Sequence, residues 1–392
     1  MAQDFAQRGF LDTRLVLYPQ KSADDKGRVV AESWLRYEAS RLLLPGLRLH
    51  GALDARTDSH RQVEREPHID FTDRTLRRPA LSVRRLSLVY NRGKVTAEAG
   101  KQLIRWGKAD VLNPTDRFAP RDFLSVVDND FLPVTAARVT YESGANTIEA
   151  VWQPLFTPSR TPLLNQRWTV LPPEAAGIAL RDGGSRYPEG SQFGVRLGHI
   201  GKRYEGSVSF FDGFNHLPLL DGRFDPSSRS VQVQRFYPTL RMFGADTAVP
   251  LHWFTVKGEA AWFTTRTAQA DEYLLYVIQL ERQSGEWSFV GGYAGQAVTD
   301  QRSRIDFSPD RGLTRAFLGR ASYTIDASRS VAVDTAIRQN GGGVWLRFEY
   351  SQLLGQHWRA TTGFTLIRGE PDDFLGQYRR NSHAILALRY SL

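Results

Sequence analysis

The sequence predicts an all-β protein, a transmembrane antiparallel up-and-down β-barrel of about 18 strands, with about 16 as the alternative count. Three observations predict it. Apolar residues recur with period two, in segments of roughly the 9–11 residues that a tilted membrane strand needs. The opposite face of these segments is charged. Short turns alternate strictly with longer polar connections, the rhythm of a barrel whose two ends face different compartments.

The strands can be read in order. Near the start, Leu47, Leu49, Gly51, Leu53 and Ala55 oppose Arg48, His50, Ala52, Asp54 and Arg56. In the middle, Phe193, Val195 and Leu197 oppose Gly194, Arg196 and Gly198. Later, Val344, Leu346, Phe348 and Tyr350 oppose Trp345, Arg347, Glu349 and Ser351. The next segment sets Trp358, Ala360, Thr362, Phe364 and Leu366 against Arg359, Thr361, Gly363 and Thr365. The last sets Ala384, Leu386, Leu388, Tyr390 and Leu392 against Ile385, Ala387, Arg389 and Ser391. Successive side chains of a strand point to opposite faces, so each apolar row meets lipid and each polar row meets a lumen. That assigns Arg36, Arg48, Arg138, Arg196, Lys257, Arg338, Arg347 and Arg359 to the lumen. Acids such as Glu32, Asp54, Glu259 and Glu349 share the same face, so cross-strand pairing neutralises many of these charges. Aromatic residues collect near strand ends on the lipid face, at Tyr37, Tyr90, Trp152, Trp287 and Trp358, as membrane girdles do.

Short turns are predicted at 44–46, 91–93, 143–146, 201–203, 244–246, 283–285, 326–328 and 354–356. Longer connections are predicted over 59–80, 109–135, 158–190, 214–229, 299–312 and 370–378, with three shorter ones near 20–28, 266–272 and 339–343. Eight short turns and nine connections at the other end make 18 strands, with both chain ends on the short-turn side.

Composition removes other classes. The 392 residues include no cysteine, which excludes thiolate metal sites, disulfides and cysteine nucleophiles. The net charge is +9, but the basic residues are interleaved with 42 acids and form no stripe, which argues against nucleic acid as a partner. No run of about 18 apolar residues marks a membrane helix. A mean hydropathy of −0.39 suits a soluble chain and a membrane barrel alike, since only alternate residues meet lipid. The start, MAQDFAQRGF, lacks the basic and apolar regions of a secretory signal. It fits a start residue placed on a mature chain whose signal peptide is removed, and equally a chain that never carried one. A hydrolase would need a Ser/His pair oriented by a third group. Only eight histidines are present. His50 has Asp54 two lumen positions away, a spacing for a lumen hydrogen bond. His60 and His68 flank Glu64 and Glu66 without the spacing of a known metal site. The sequence predicts no catalysis, metal or cofactor.

The stretch GKQLIRWGKADVLNPTDRFAPRDF, Gly100 to Phe123, is followed by Asp130-Phe131-Leu132-Pro133-Val134. It resembles a G-[KR]-Q-x-x-x-W-G…NP-x-D block of porin-like proteins of Gram-negative bacteria. The ending Leu388-Arg389-Tyr390-Ser391-Leu392 resembles the C-terminal strand signal of bacterial outer-membrane proteins, with Leu392 where Phe or Trp is usual. The resemblance implies one barrel domain over 1–392, placed in the outer membrane by the barrel-assembly machinery, against outer-membrane lipid and lipopolysaccharide. It fixes no substrate and no oligomeric state.

In general porins the third outer loop folds inward and narrows the channel. The resemblance therefore implies that 109–135, the third outer connection, is the constriction, with Asp110, Asn113, Asp116, Arg117, Arg121 and Asp122 as its binding residues. Pro114, Pro120 and Pro133 stiffen the path, and Asn113, preceding a proline, is biased to an extended conformation. Phe118, Phe123, Leu124, Phe131 and Leu132 give a folded-in loop an apolar core. The competing arrangement is a loop that caps the rim. Lys101 and Arg105 break strict alternation in the strand leading in, and a bulge near Gly100 would restore it.

Three function classes follow. The first is a passive channel for small hydrophilic solutes, with residual positive charge in the lumen favouring anions. The second is an export or surface-assembly barrel for an acidic polysaccharide. The third is a structural barrel that sheaths a periplasmic electron-transfer partner. The basic surplus has a second placement, in outer loops, where Arg61, Arg65, Arg74, Arg77, Arg78, Arg302, Arg304 and Arg311 would meet lipopolysaccharide phosphates.

Overall fold

Eighteen long strands close into one antiparallel barrel in the computed structural model, which describes residues 4–22, 25–110, 112–164, 166–170, 179–227, 229–302, 308–339 and 341–392. The first nine are β1 (Phe5–Leu17), β2 (Val29–Leu44), β3 (Leu47–Asp58), β4 (Leu81–Arg92), β5 (Val95–Gln102), β6 (Val134–Ser143), β7 (Asn146–Gln153), β8 (Gln192–Ile200) and β9 (Glu205–Phe214). The second nine are β10 (Thr239–Pro250), β11 (Thr255–Thr264), β12 (Glu272–Ser284), β13 (Trp287–Asp300), β14 (Ala316–Thr324), β15 (Arg329–Arg338), β16 (Gly343–Leu354), β17 (Trp358–Gly369) and β18 (His383–Ser391). Each pairs with its sequence neighbour, and β1 closes on β18 from Phe10↔Ser391 to Leu17↔Ala384. Closure leaves the wall without an unpaired strand edge.

Seven of the eight predicted short turns fall where expected. The eighth does not. Gly244, Ala245 and Asp246 lie inside β10, and the turn comes later, at 251–254. Gly244 reads as a turn residue but serves clearance. A Cβ there would stand 2.7 Å from Ser209 Oγ and 2.7 Å from Thr115 Cγ2, a residue of the third long connection. That connection starts earlier than predicted, running over 103–133 rather than 109–135, because β5 ends at Gln102.

The irregularity expected near Gly100 is present in another form. Gly100 has φ +122, and a Cβ there would collide with the Leu86 carbonyl oxygen. This backbone is open to glycine and strained for other residues. The pairings of β5 carry no register shift; the shift lies in β4, where Ala52 faces Arg85 and Leu53 faces Val83. β5 stays paired with β6 through Gln102, and Lys101 is 1% exposed, its Nζ 2.6 Å from Asp73.

Two other shifts, at Leu42/Leu44 and at Glu272/Tyr273, lie near strand ends, and β16 and β17 alternate cleanly. Leu346 and Phe348 stand exposed on the outer face, while Thr365 and Ile367 of β17 point inward and are buried. An arginine on the lipid face near mid-membrane costs about 2–4 kcal/mol, whereas lumen positions tolerate polar change. Leu346→Arg is therefore expected to impair folding into lipid vesicles by that amount, and Arg347→Ala, one residue away, to fold normally. The reverse order would place β16 one residue out of register.

Of the predicted lumen residues, most meet a carboxylate. Arg36 takes Asp54 with two bonds of 2.7 and 2.8 Å, where the sequence suggested His50 as the Asp54 partner. Arg138 meets Glu98 at 2.7 Å, Arg196 meets Asp246 at 2.9 Å, Lys257 meets Asp110 at 3.3 Å, Arg338 meets Asp373 at 3.0 Å and Arg347 meets Glu349 at 2.8 Å. Arg48 is 3.5 Å from Ser40 Oγ, and Arg359 stands exposed at the short-turn end. Two arginines expected to meet solvent in the outer loops instead turn inward, Arg78 half-buried against Asp122 and Arg311 buried near Asp271; Arg304 lies outside the described residues.

The long connections carry structure of their own. Ala179–Arg186, Leu219–Asp225 and Ser230–Phe236 form a small three-stranded sheet beyond the barrel. A 3-10 helix covers Gly376–Asn381 in the last connection.

Candidate channel constriction

The third connection, 103–133, folds into the barrel rather than over its rim. Its entry is fixed by Gln102, whose Nε2 donates to the Ala136 carbonyl at 3.0 Å. Ile104, Trp106 and Phe118 then pack into one buried cluster with wall residues of six strands, among them Val134, Val151, Phe211, Met242, Phe263 and Leu275. Trp106 and Phe118 meet edge to face at 5.2 Å, and Phe118 meets Phe211 likewise at 5.0 Å. Such pairs add to the area they bury. The wall opposite is cut back to receive them: a Cβ on Gly194 would stand 2.7 Å from Trp106 and 2.9 Å from Phe118. Farther on, Ala109 lies against the small inner residues Ala294, Ala316 and Ala336.

Polar anchors fix this loop to the wall. Glu259, on the inner face of β11, accepts from the backbone amides of Lys108, Ala109 and Thr115 at 2.9, 3.1 and 2.8 Å, and from Thr115 Oγ1 at 2.8 Å. Asp116 closes the loop on itself, accepting from the amides of Trp106 at 2.6 Å and Gly107 at 2.7 Å, with Arg105 at 3.2 Å. Asn113 donates to the Ala109 carbonyl and accepts from Arg121 at 3.1 Å. Asp110 bonds Gln279 and lies 3.3 Å from Lys257. The Arg117 carbonyl accepts from His216 Nε2 at 2.6 Å, while the Arg117 guanidinium lies over Phe263 at 5.0 Å. Burial pushes the His216 imidazole down to about 4, against the pull of the two carbonyls, of Arg117 and Thr157, that its ring faces.

Asp122 belongs to a buried chain of charges joining three connections to the wall. Arg78 grips it at 2.8 and 3.3 Å, and Arg160 reaches it at 3.3 Å. Arg78 also meets Glu32 of β2 at 2.8 Å, and Arg160 meets Asp73 at 2.7 Å, which in turn holds Lys101. Burial would raise the Asp73 carboxyl, but Arg160 and Lys101 outweigh it and hold it below the usual carboxylate range. Arg78 and Arg160 do the same for Asp122.

The six predicted residues thus divide. Asn113, Asp116, Arg117 and Asp122 are buried and hold the loop. Asp110 and Arg121 border open lumen. Two cavities lie on either side of the loop. One, of about 440 Å³, runs along β1–β4 and β18; eight arginines and seven carboxylates line it, with Phe10 and Trp34 between them. The other, of about 850 Å³, runs along β11–β16 and is lined by five basic and four acidic side chains, Asp110 and Arg121 included. Asp128 and Asn129 are the residues common to both.

Several of these residues were not picked out from the sequence. Glu259 is assigned to the inner face by alternation, but its partners are backbone amides, which leave no trace in side-chain spelling. Arg160 and Asp73 lie in connections with no periodic pattern. Among the described residues, no group of three or more His, Asp and Glu side chains forms a metal site.

No protein-family model matches the chain, and no curated protein matches it. Solved structures do. A BenF-like porin from Pseudomonas fluorescens Pf-5 aligns over 100% of this chain and 98% of its own, with a TM-score of 0.57 at 9% identity. OccAB4 of Acinetobacter baumannii aligns over 100% and 98%, with a TM-score of 0.59 at 8% identity. OccK9 (OpdG) of Pseudomonas aeruginosa aligns over 100% and 98%, with a TM-score of 0.55 at 11% identity. Across its whole length, this chain has the barrel fold of these proteins.

Proposed function

We propose that the chain is a porin-like channel of the bacterial outer membrane that passes small hydrophilic solutes by passive diffusion, without catalysis. The observation that carries this reading is the pair of polar cavities, about 440 and 850 Å³, lying on either side of an inward loop in a closed barrel. A structural sheath would gain nothing from a lumen kept open and lined with charge. The fold likeness to a BenF-like porin supports the same class.

The charge balance bears on selectivity. Each cavity carries one more basic than acidic side chain. Most of the basic groups are ion-paired, so the field felt by a solute is small, and a modest preference for anions is the reading it supports. In the first cavity the strands contribute Arg36 and Arg84 beside Asp12, Glu32 and Asp54, and the loop contributes Asp122, Asp128 and Asp130.

Solute-driven swelling of lipid vesicles tests the function. Vesicles containing the refolded protein are expected to swell in an iso-osmotic pentose solution much faster than protein-free vesicles, and to slow as the sugar is lengthened to a trisaccharide. Equal rates with and without protein would contradict a diffusion channel.

A further inference from the structure

Asp128 and Asn129 line both cavities, in the turn between the paired segments Arg121–Asp122 and Asp130–Phe131, and one side chain there is placed unlike the rest. Asp128 reaches Arg14 of β1 at 3.8 Å with one oxygen and Arg347 of β16 at 3.8 Å with the other. These strands are three steps apart around the wall. Both distances exceed hydrogen-bond length. Each arginine is satisfied on its own strand, Arg14 by Asp12 at 2.8 Å and Arg347 by Glu349 at 2.8 Å, and has further N–H donors to offer. The residues beside Asp128 are held more firmly. Asn129 donates to the Val126 carbonyl at 3.2 Å and accepts from Arg121 at 2.9 Å. Asn129 is thus held within the loop, while the Asp128 carboxylate, 41% exposed, has no hydrogen-bond partner among the described residues closer than the two cations.

Resting on the reading of the barrel as a diffusion channel, we propose that Arg14 and Arg347 form an anion site at the passage between the cavities, and that Asp128 is a tethered carboxylate occupying it. An anionic solute crosses by displacing Asp128 from the two guanidinium groups, and the loop carboxylate returns behind it. Exchange is easy because an exposed ion pair at this distance contributes little. Asp128 thereby sets how strongly the channel favours anions, a role that the buried anchors Asp116 and Asp122 cannot take.

The test is reversal potential in planar bilayers under a potassium acetate gradient, for the parent, Asp128→Asn and Asp130→Asn. Asp130 borders the same cavity and is also exposed, but its partner is Arg84, at 3.4 Å, away from the second cavity. Asp128→Asn is expected to raise the acetate-to-potassium permeability ratio up to roughly five-fold, the range spanned by an exposed ion pair. Asp130→Asn should change it less. In a chain carrying Arg14→Gln and Arg347→Gln, the ratio should fall, and adding Asp128→Asn should then have little effect. Equal shifts from the two aspartate variants, or no shift from Asp128→Asn, would overturn the gate and leave the channel standing. Absence of current from every protein would overturn the channel and the gate together.

Discussion

Arg160→Ala is expected to destabilise the folded barrel by about 3–5 kcal/mol, the scale for removing one partner of a buried ion pair. The Arg160 side chain is 4% exposed and stands between Asp73 and Asp122 at 2.7 and 3.3 Å. Removing it leaves two buried carboxylates close together, with Lys101 paired to one and Arg78 to the other. Arg160→Lys keeps the charge but loses the planar fork that reaches both acids, so an intermediate loss is expected. The readout is the urea midpoint for loss of heat-modifiable migration after folding into vesicles. A shift no larger than that of a surface arginine, such as Arg203→Ala, would mean the network carries no weight.

The same network has a defined pH response. Asp73 and Asp122 are held below their unfolded values, so the stability they contribute is present above the normal carboxylate range, near pH 4. It is lost as pH falls through their lower folded values. The parent should therefore keep its urea midpoint from pH 7 to pH 5 and lose it in stronger acid. Arg160→Ala should lose stability at a higher pH, since its carboxylates are less well held.

Glu259→Ala is expected to free the inward loop and raise conductance. One carboxylate accepts four bonds from Lys108, Ala109 and Thr115, and hydrogen bonds to a charged group contribute roughly 1.5–3 kcal/mol each. The apolar cluster around Trp106 and Phe118 remains, so the loop should detach at one end only. Glu259→Gln is the sharper probe. Its amide oxygen can still serve Thr115, but its NH₂ would face the amides of Lys108 and Ala109, donor against donor. Larger and noisier single-channel steps are expected for both variants, with the greater change in Glu259→Ala. Parent-like steps from both would mean that the loop is held by apolar packing alone.

The wall was legible in the sequence and its filling only partly so. Period two in β16 and β17 follows from lipid on one side and a wet lumen on the other, a constraint that acts on every residue of a strand. The β10 turn was misread because glycine has two uses. At Gly46, with φ +81, it makes a turn; at Gly244 it clears space for Thr115. A single sequence does not distinguish the two. The inward loop was implied by the resemblance to general porins; Phe118, Phe123, Leu124 and Leu132 are buried as expected, while Phe131 is half-buried. Which of its polar residues anchor and which face the passage was not legible. Asp122 and Asp128 differ only in what the fold brings to them: two arginines that bury the first, and two that stand 3.8 Å from the second.

A continuous wet passage narrowed by the inward loop is tested most directly by single-channel recording in planar bilayers of the parent beside a chain lacking Pro114 through Arg121. Steady ohmic steps are predicted for the parent, with larger steps for the shortened chain. Equal steps would contradict the constriction, and silence from both would contradict an open channel.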